Sequence, residues 1–235
     1  MTVAPARRFY KAVSVAGAQA PFTVTLDDRP LRTPLKRALD IPTTALAAAV
    51  AAEWDRQTEK IDPRTMPLTR LANTAIDRVD ADRGRIIGEI VEFAGSDLVC
   101  YRAEKPPGLV ERQARAWQPV LDWAREAVGA EFVVTEGVVH VGQPQAALAA
   151  ARDYLARESP WSLTALHNIT TLTGSALIAA MACAGAIPAS EAWAAAHVDE
   201  DWQIEHWGWD EEARHRRNHR RREFDACLRF CELSQ

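Results

Sequence analysis

The stretch Ser159–Ser190, SPWSLTALHNITTLTGSALIAAMACAGAIPAS, contains no Asp, Glu, Lys or Arg, and its reading decides the fold. It is long enough to cross a bilayer. Yet it contains His167, Asn168, four Thr and several Ser and Gly. Its many Ala residues add little transfer energy, and no basic cluster flanks it. It is therefore read as the buried central helix of a helical bundle, over about residues 162–184.

The rest of the chain supports that reading. The 235 residues are 48% hydrophobic and 26% charged, the balance of a globular protein with room for one large domain or two modest ones. A net charge of −4 argues against a nucleic-acid binder that works by bulk charge. The four cysteines, Cys100, Cys183, Cys227 and Cys231, have no disulfide-framework spacing, so a reducing compartment is expected. The segment before Arg8 has no apolar signal core, so no secretory signal is expected, and it leaves no room for an organelle transit peptide.

Upstream of residue 80 the pattern changes. RFYKAVSV and PFTVTLDDRPLRTP read as short strands turning at Asp27-Asp28, limited by Pro30, Pro34 and Pro42. Thr43 or Thr44 caps an Ala-rich helix, and Pro67 opens another with Leu68, Leu71 and Ala75 on one face. DADRGR marks a boundary. Beyond it helices dominate, with a kink or break at Pro119, a hairpin turning at Glu136-Gly137, and helices over about 144–157, 189–207 and 210–232. The predicted architecture is α+β: a small N-terminal α+β domain of short antiparallel strands (1–80), then a larger, mainly helical domain (81–235).

The chemistry-bearing residues crowd into DEDWQIEHWGWDEEARHRRNHRRREF, residues 199–224. His215/His219 and Cys227/Cys231 are two i, i+4 pairs. On a continuous helix His219 and Cys227 lie roughly 12 Å apart, whereas zinc needs ligands at about 2.0–2.3 Å. Phe224, Cys227, Leu228 and Cys231 form an apolar stripe instead, so no metal is expected. RHRRNHRRR is a basic patch, but seven acids precede it and i, i+4 pairs Asp210–Arg214 and Glu212–Arg216 would neutralise part of it. A solvated helix face is the expected outcome. Trp193, Ala196, Glu200, Gln203 and Trp207 recur at helical spacing, so one face would set a carboxylate and an amide between two indoles, the composition of a protein-binding surface; periodicity serves equally well a helix with both tryptophans in the core and Glu200 as an ordinary surface acid.

No GxGxxG, GxxxxGK[ST], GxSxG, HExxH or CxxC occurs. His167 reads as a satisfied core histidine. No catalytic residue and no cofactor is expected. An enzyme with a dispersed site, and an RNA-binding accessory protein using residues 214–222, are the alternatives.

Seven segments together resemble the F-type ATP synthase assembly chaperones that handle the alpha subunit of the catalytic sector, an alphaproteobacterial and mitochondrial family. They are RFY (8–10), LDDRPLRTP (26–34), EWDRQ (53–57), TMPLTRLANTAID (65–77), DLVCYRAEKPPGLVERQ (97–113), WQPVLDWA (117–124) and DEDWQIEHWG (199–208). The order and spacing carry the likeness. It lapses at Gln118 and after Arg214. The resemblance implies a chaperone, not an enzyme, that binds the unassembled alpha subunit until the beta subunit replaces it. It implies bacterial cytoplasm here and the mitochondrial matrix for eukaryotic relatives. It carries the family's acidic motif onto Glu200, Gln203, Trp207 and Gly208. Asp201 and Trp202 (with Trp209 as a further aromatic) complete the expected client-binding set. A monomer with no nucleic-acid partner and no membrane insertion is expected.

Overall fold

The computed structural model describes residues 6–137 and 139–235. The chain forms two compact units. One comprises Met1–Arg83, Pro160–Thr164 and Arg229–Gln235; the other comprises Gly84–Ser159 and Ala165–Leu228.

The first unit is built on an antiparallel sheet, β1 (Val13–Ala16), β2 (Thr23–Leu26) and β3 (Arg29–Pro30), in that order. Leu26 faces Arg29 across the two-residue turn Asp27-Asp28, and both aspartates have positive φ, 46° and 64°. Such turns match strand twist, and Asp tolerates that backbone. The Asp27 carboxylate also accepts the Lys11 and Ala12 amides at 3.0 and 2.8 Å. Pro30 sits on the outer strand, where its missing N–H costs no ladder bond.

Helix α1 (Thr44–Asp55) lies on β1 and β2. Of the two threonines the sequence offers, Thr43 is the cap: it accepts from Leu46 N at 3.1 Å and also donates to Leu233 O. Helix α2 (Pro67–Thr74) starts at Pro67, whose lack of an N–H suits a first turn. The remaining amides of that turn are taken by Glu53 of α1. Its carboxylate accepts from Leu68 N and Thr69 N at 2.8 Å each and from Thr69 Oγ1 at 2.7 Å. Gln57, four residues on, links Glu53 O, Thr65 Oγ1 and Asp62 N. The EWDRQ and TMPLTRLANTAID motifs are thus two halves of one hydrogen-bonded joint.

The second unit is helical. Helix α3 (Arg83–Ala94) leads to β4 (Tyr101–Arg102) and α4 (Pro107–Trp123). Helix α4 continues through Pro119 without ending and then widens into π-helical turns at Ala124–Val128. Pro119 and Arg115, whose carbonyl loses its partner, both lie on the exposed face, where a missing helix hydrogen bond is least costly. Val138 of the expected 136–137 hairpin lies outside the described residues. Around it the pairing differs from a local hairpin. β5 (Thr135–Glu136) joins β4 in parallel, and the Gln143 side chain closes the loop by bonding Val133 N at 2.8 Å and Val133 O at 2.9 Å.

Helix α5 (Gln145–Leu155) follows. The uncharged stretch then forms two helices rather than one, α6 (Pro160–Thr173) and α7 (Ala176–Cys183). They part at Gly174, and Ser175 caps α7 by accepting from Ile178 N at 3.0 Å. Residues 176–182 are buried throughout, and among the described residues no helix is long and apolar enough to cross a membrane. Helix α4 contacts α7, α8 (Ala189–Ala196) and α9 (Val198–Trp207). The fully buried Trp117 of α4 donates its indole N–H to Ala195 O at 2.7 Å. Helix α10 (Glu211–Leu233) ends the chain.

Candidate protein-binding site

The continuous helix expected over 189–207 is broken. His197 adopts φ −125°, ψ 21°, and α8 ends there. The imidazole stacks on Trp193 at 3.8 Å, and its Nδ1 lies 2.8 Å from Trp193 O. Trp193 is buried edge-on against Phe224 at 5.4 Å. The expected face running from Trp193 to Trp207 therefore does not form, and Trp193 is a core residue.

Helix α9 stands by itself, held on two sides. Toward α4, Gln113 Nε2 donates to Asp199 Oδ1 at 2.6 Å, and Arg112 grips both Glu205 oxygens at 2.8 Å. The Arg112 guanidinium also lies over the Trp202 ring at 5.1 Å, and Trp202 stacks on His206 at 4.3 Å. The indole comes so close to α4 that a Cβ on Gly108 would sit 2.9 Å from Trp202 Cη2. Toward α10, Arg217 ion-pairs with Asp201 and approaches Glu200 Oε2 at 3.6 Å. Only 11% of the Arg217 side chain is exposed. His197 Nε2 lies 3.8 Å from the same Glu200 oxygen. Burial holds the His197 imidazole below its usual value, so it is neutral at pH 7 and adds no charge beside Arg217.

The six candidate residues therefore divide. Gln203 and Trp207 share the exposed side of α9, and Trp207 is 78% exposed. Trp202 packs on α4 and lines the same cleft as Gln203 and Trp207, of about 790 Å³. Glu200 and Asp201 face Arg217 instead. Gly208 ends α9 with φ 83°, ψ −179°, a backbone open in practice only to glycine, which releases the chain toward Trp209 and the α10 N-cap. Asp210 supplies that cap, accepting from Ala213 N at 2.7 Å. Arg214 consequently meets Glu211 (3.9 Å) rather than Asp210, while Glu212–Arg216 pairs as expected at 2.5 Å.

The Arg-rich helix is only partly a solvated face. Arg214, Arg216 and Arg222 are exposed with His215 and His219. Arg217 holds α9, Arg220 donates to Leu172 O at 2.6 Å, and Arg221 pairs with Asp225 beneath the Trp193 ring. Cys227 and Cys231 are buried. Among the described residues, no three His, Cys, Asp or Glu side chains are grouped to hold a metal. His167 is half-buried, 2.8 Å from Glu89 Oε2.

Reading the sequence missed Arg102, Leu109 and Val139, which line the same 790 Å³ cleft. Val139 is 72% exposed. Two of the three lie inside the DLVCYRAEKPPGLVERQ motif. The motif was therefore the available signal, although nothing in it places these residues against α9.

Residues 7–125 match the profile of the ATP12 chaperone protein family. The mitochondrial protein atp12 of Schizosaccharomyces pombe is 23% identical over 219 residues, covering 88% of this chain and 75% of that protein. The crystal structure of Atp12 from Paracoccus denitrificans superposes with a TM-score of 0.93 at 40% identity, over 98% of this chain and 99% of that one. The crystal structure of the Atu1473 protein from Agrobacterium tumefaciens gives 0.92 at 46% identity, over 97% and 86%. The chain belongs to the ATP12 chaperone family, the F-type ATP synthase assembly chaperones whose motifs its sequence carries.

Proposed function

We propose that this chaperone binds the unassembled alpha subunit of F-type ATP synthase through α9 and the cleft beside it, and yields it to the beta subunit. The observation that carries the proposal is Trp207: a large indole left 78% exposed at the end of a helix whose neighbours are otherwise fixed by ion pairs and stacking. An exposed tryptophan beside a cleft suits a protein-binding hot spot, because the ring brings a large contact area with few rotatable bonds to order.

An orphan subunit presents an apolar interface prone to aggregate. A cover that must later be exchanged is better built from mixed aromatic and polar contacts than from a wholly apolar one. In this reading Trp207, Trp202 and Gln203 touch the client. Glu200 and Asp201 orient α9 through Arg217, and Gly208 sets the angle at which Trp207 and Trp209 are offered. Binding alone suffices; no chemical step is assigned, and one chaperone meets one subunit.

The test is capture of purified alpha subunit by the folded chain. Trp207→Ala and Glu200→Lys should each weaken capture while circular dichroism stays that of the parent. Unchanged capture by both variants would sink the assignment.

A further inference from the structure

Arg102 is an anomaly in the wall of the cleft. Its Nε is enclosed with no hydrogen-bond partner, and no ion pair reaches the side chain among the described residues. The contact it does make is with Trp117, whose ring lies 5.1 Å from the guanidinium carbon. Burial holds its pKa below the usual arginine value, and no carboxylate is among the groups acting on it. The residue as a whole is half-buried, so the ends of its guanidinium stay within reach of the cleft, where a partner can supply the missing counter-charge.

The surroundings narrow that partner. Trp202, Trp207, Leu109 and Val139 give the cleft apolar walls. Asp199 lines it too, but is already bonded to Gln113. Glu104 and Glu136 stand in the lining as well, with Lys105 beside them; the two acids repel an entering anion the more strongly the more negative charge it carries. An acidic run is therefore disfavoured, and a lone acid between apolar neighbours fits.

We propose that the cleft is a receptor for a single client carboxylate flanked by apolar side chains, with Arg102 as its counter-ion. This rests on the reading of α9 as the client-binding element and specifies the chemistry recognised there. The planar guanidinium offers paired N–H donors, which match a carboxylate and orient it. The tryptophans and Val139 cover the flanking side chains.

The experiment uses the full chain labelled with 15N, and follows the Arg102 Nε–Hε signal and the indole N–H signals of Trp202 and Trp207. The probes are capped tripeptides: acetyl-Leu-Glu-Leu-amide, its Gln counterpart, and acetyl-Glu-Glu-Glu-amide. The Leu-Glu-Leu peptide should bind roughly tenfold more tightly than the Leu-Gln-Leu peptide, moving all three signals, and the triple acid should bind no better than the single one. Arg102→Gln should abolish the preference and Arg102→Lys should keep part of it. Equal binding of the Glu and Gln peptides, no response to either, or a preference that survives in Arg102→Gln overturns the proposal.

Thermal melting of Arg102→Gln separates recognition from architecture. Removing an unpaired, half-buried charge should leave the midpoint close to that of the parent, and a clear fall would mark Arg102 as a structural residue. Capture of alpha subunit distinguishes the two readings. If the parent chain captures none, the client assignment fails whatever the peptides do. If parent and Arg102→Gln capture it equally, the carboxylate receptor alone fails.

Discussion

Gln113 of α4 and Asp199 of α9, separated by 86 residues, meet in a 2.6 Å hydrogen bond, and the same amide accepts from Ala103 N at 2.7 Å. One buried side chain thus ties the exit of β4 to the start of α9. Gln113→Ala leaves a backbone N–H and a carboxylate without their partners, at a cost of about 2–3 kcal/mol. Gln113→Glu should cost more, since it sets a second carboxylate against Asp199. Denaturant midpoints would show this order, Glu below Ala below parent. Capture of alpha subunit should fall further than the loss of stability explains, because α9 is released along with the bond.

Gly108 offers a case where two terms compete. It lies in the first turn of α4, where alanine is favoured over glycine by up to about 1 kcal/mol. Its Cβ would, however, meet the Trp202 ring at 2.9 Å. The ring is the end of a side chain and can rotate away, so Gly108→Ala should change stability by less than about 1 kcal/mol. The displaced indole leaves its stack on His206 and its place under Arg112, and the wall of the cleft changes shape. Tryptophan fluorescence should shift and client binding should drop in a protein that melts almost normally.

What the sequence made legible, and what it concealed, follows from the range of the interactions. The turn at Asp27-Asp28, the cap at Thr43 and the start at Pro67 are local, and each was readable from a few neighbouring residues. The break at His197 was not. Neither Gly nor Pro marks it, and it coincides with a tertiary contact, the His197 ring stacked on a Trp193 that packs against Phe224 in the core. The same holds at the site. Gln203 and Trp207 were recognisable as a helical face, but Arg112–Glu205 spans 93 residues, and Arg102 lines the same cleft from a segment about a hundred residues away in the chain. Arg217 was hidden in another way: six arginines in nine residues read as one solvated patch, yet this one is enclosed and holds Glu200 and Asp201.

Trp207 and Trp117 should behave oppositely. Trp117 is fully buried with its indole bonded to Ala195 O, so Trp117→Ala should cost about 3–5 kcal/mol and leave little folded protein. Trp207→Ala removes an exposed ring and should stay within about 0.5 kcal/mol of the parent. Its effect belongs to binding, where loss of a hot-spot tryptophan costs about 2 kcal/mol or more, roughly thirtyfold in affinity. Calorimetric titration with alpha subunit, beside melting of the free chains, separates the two.

Asp97 gives a pH dependence whose sign is fixed by its burial. Its carboxyl is fully buried. Desolvation raises its pKa to about 6, although Ser175 and the amides of Val99, Ala176 and Leu177 hydrogen-bond to it and oppose the rise. In the unfolded chain the value is near 3.8. Between about pH 4 and pH 6 the folded state therefore holds a proton that the unfolded state has released. The resulting stabilisation is complete below the unfolded value, declines as pH rises through 6 and is absent above it, with a span of about 3 kcal/mol. Other carboxylates act in the opposite sense: Asp27 is held low by the backbone amides of Ala12 and Lys11, and Asp62 by Arg64. The readable quantity is thus the gap between the parent and Asp97→Asn. Asparagine cannot titrate and presents an NH2 group to amides that need an acceptor, so the variant should be less stable at every pH. The gap should be widest near pH 4 and narrow toward pH 7. Denaturant unfolding of both chains across that range measures it, and a gap that fails to narrow as pH rises would show that Asp97 is ionised in the folded protein throughout.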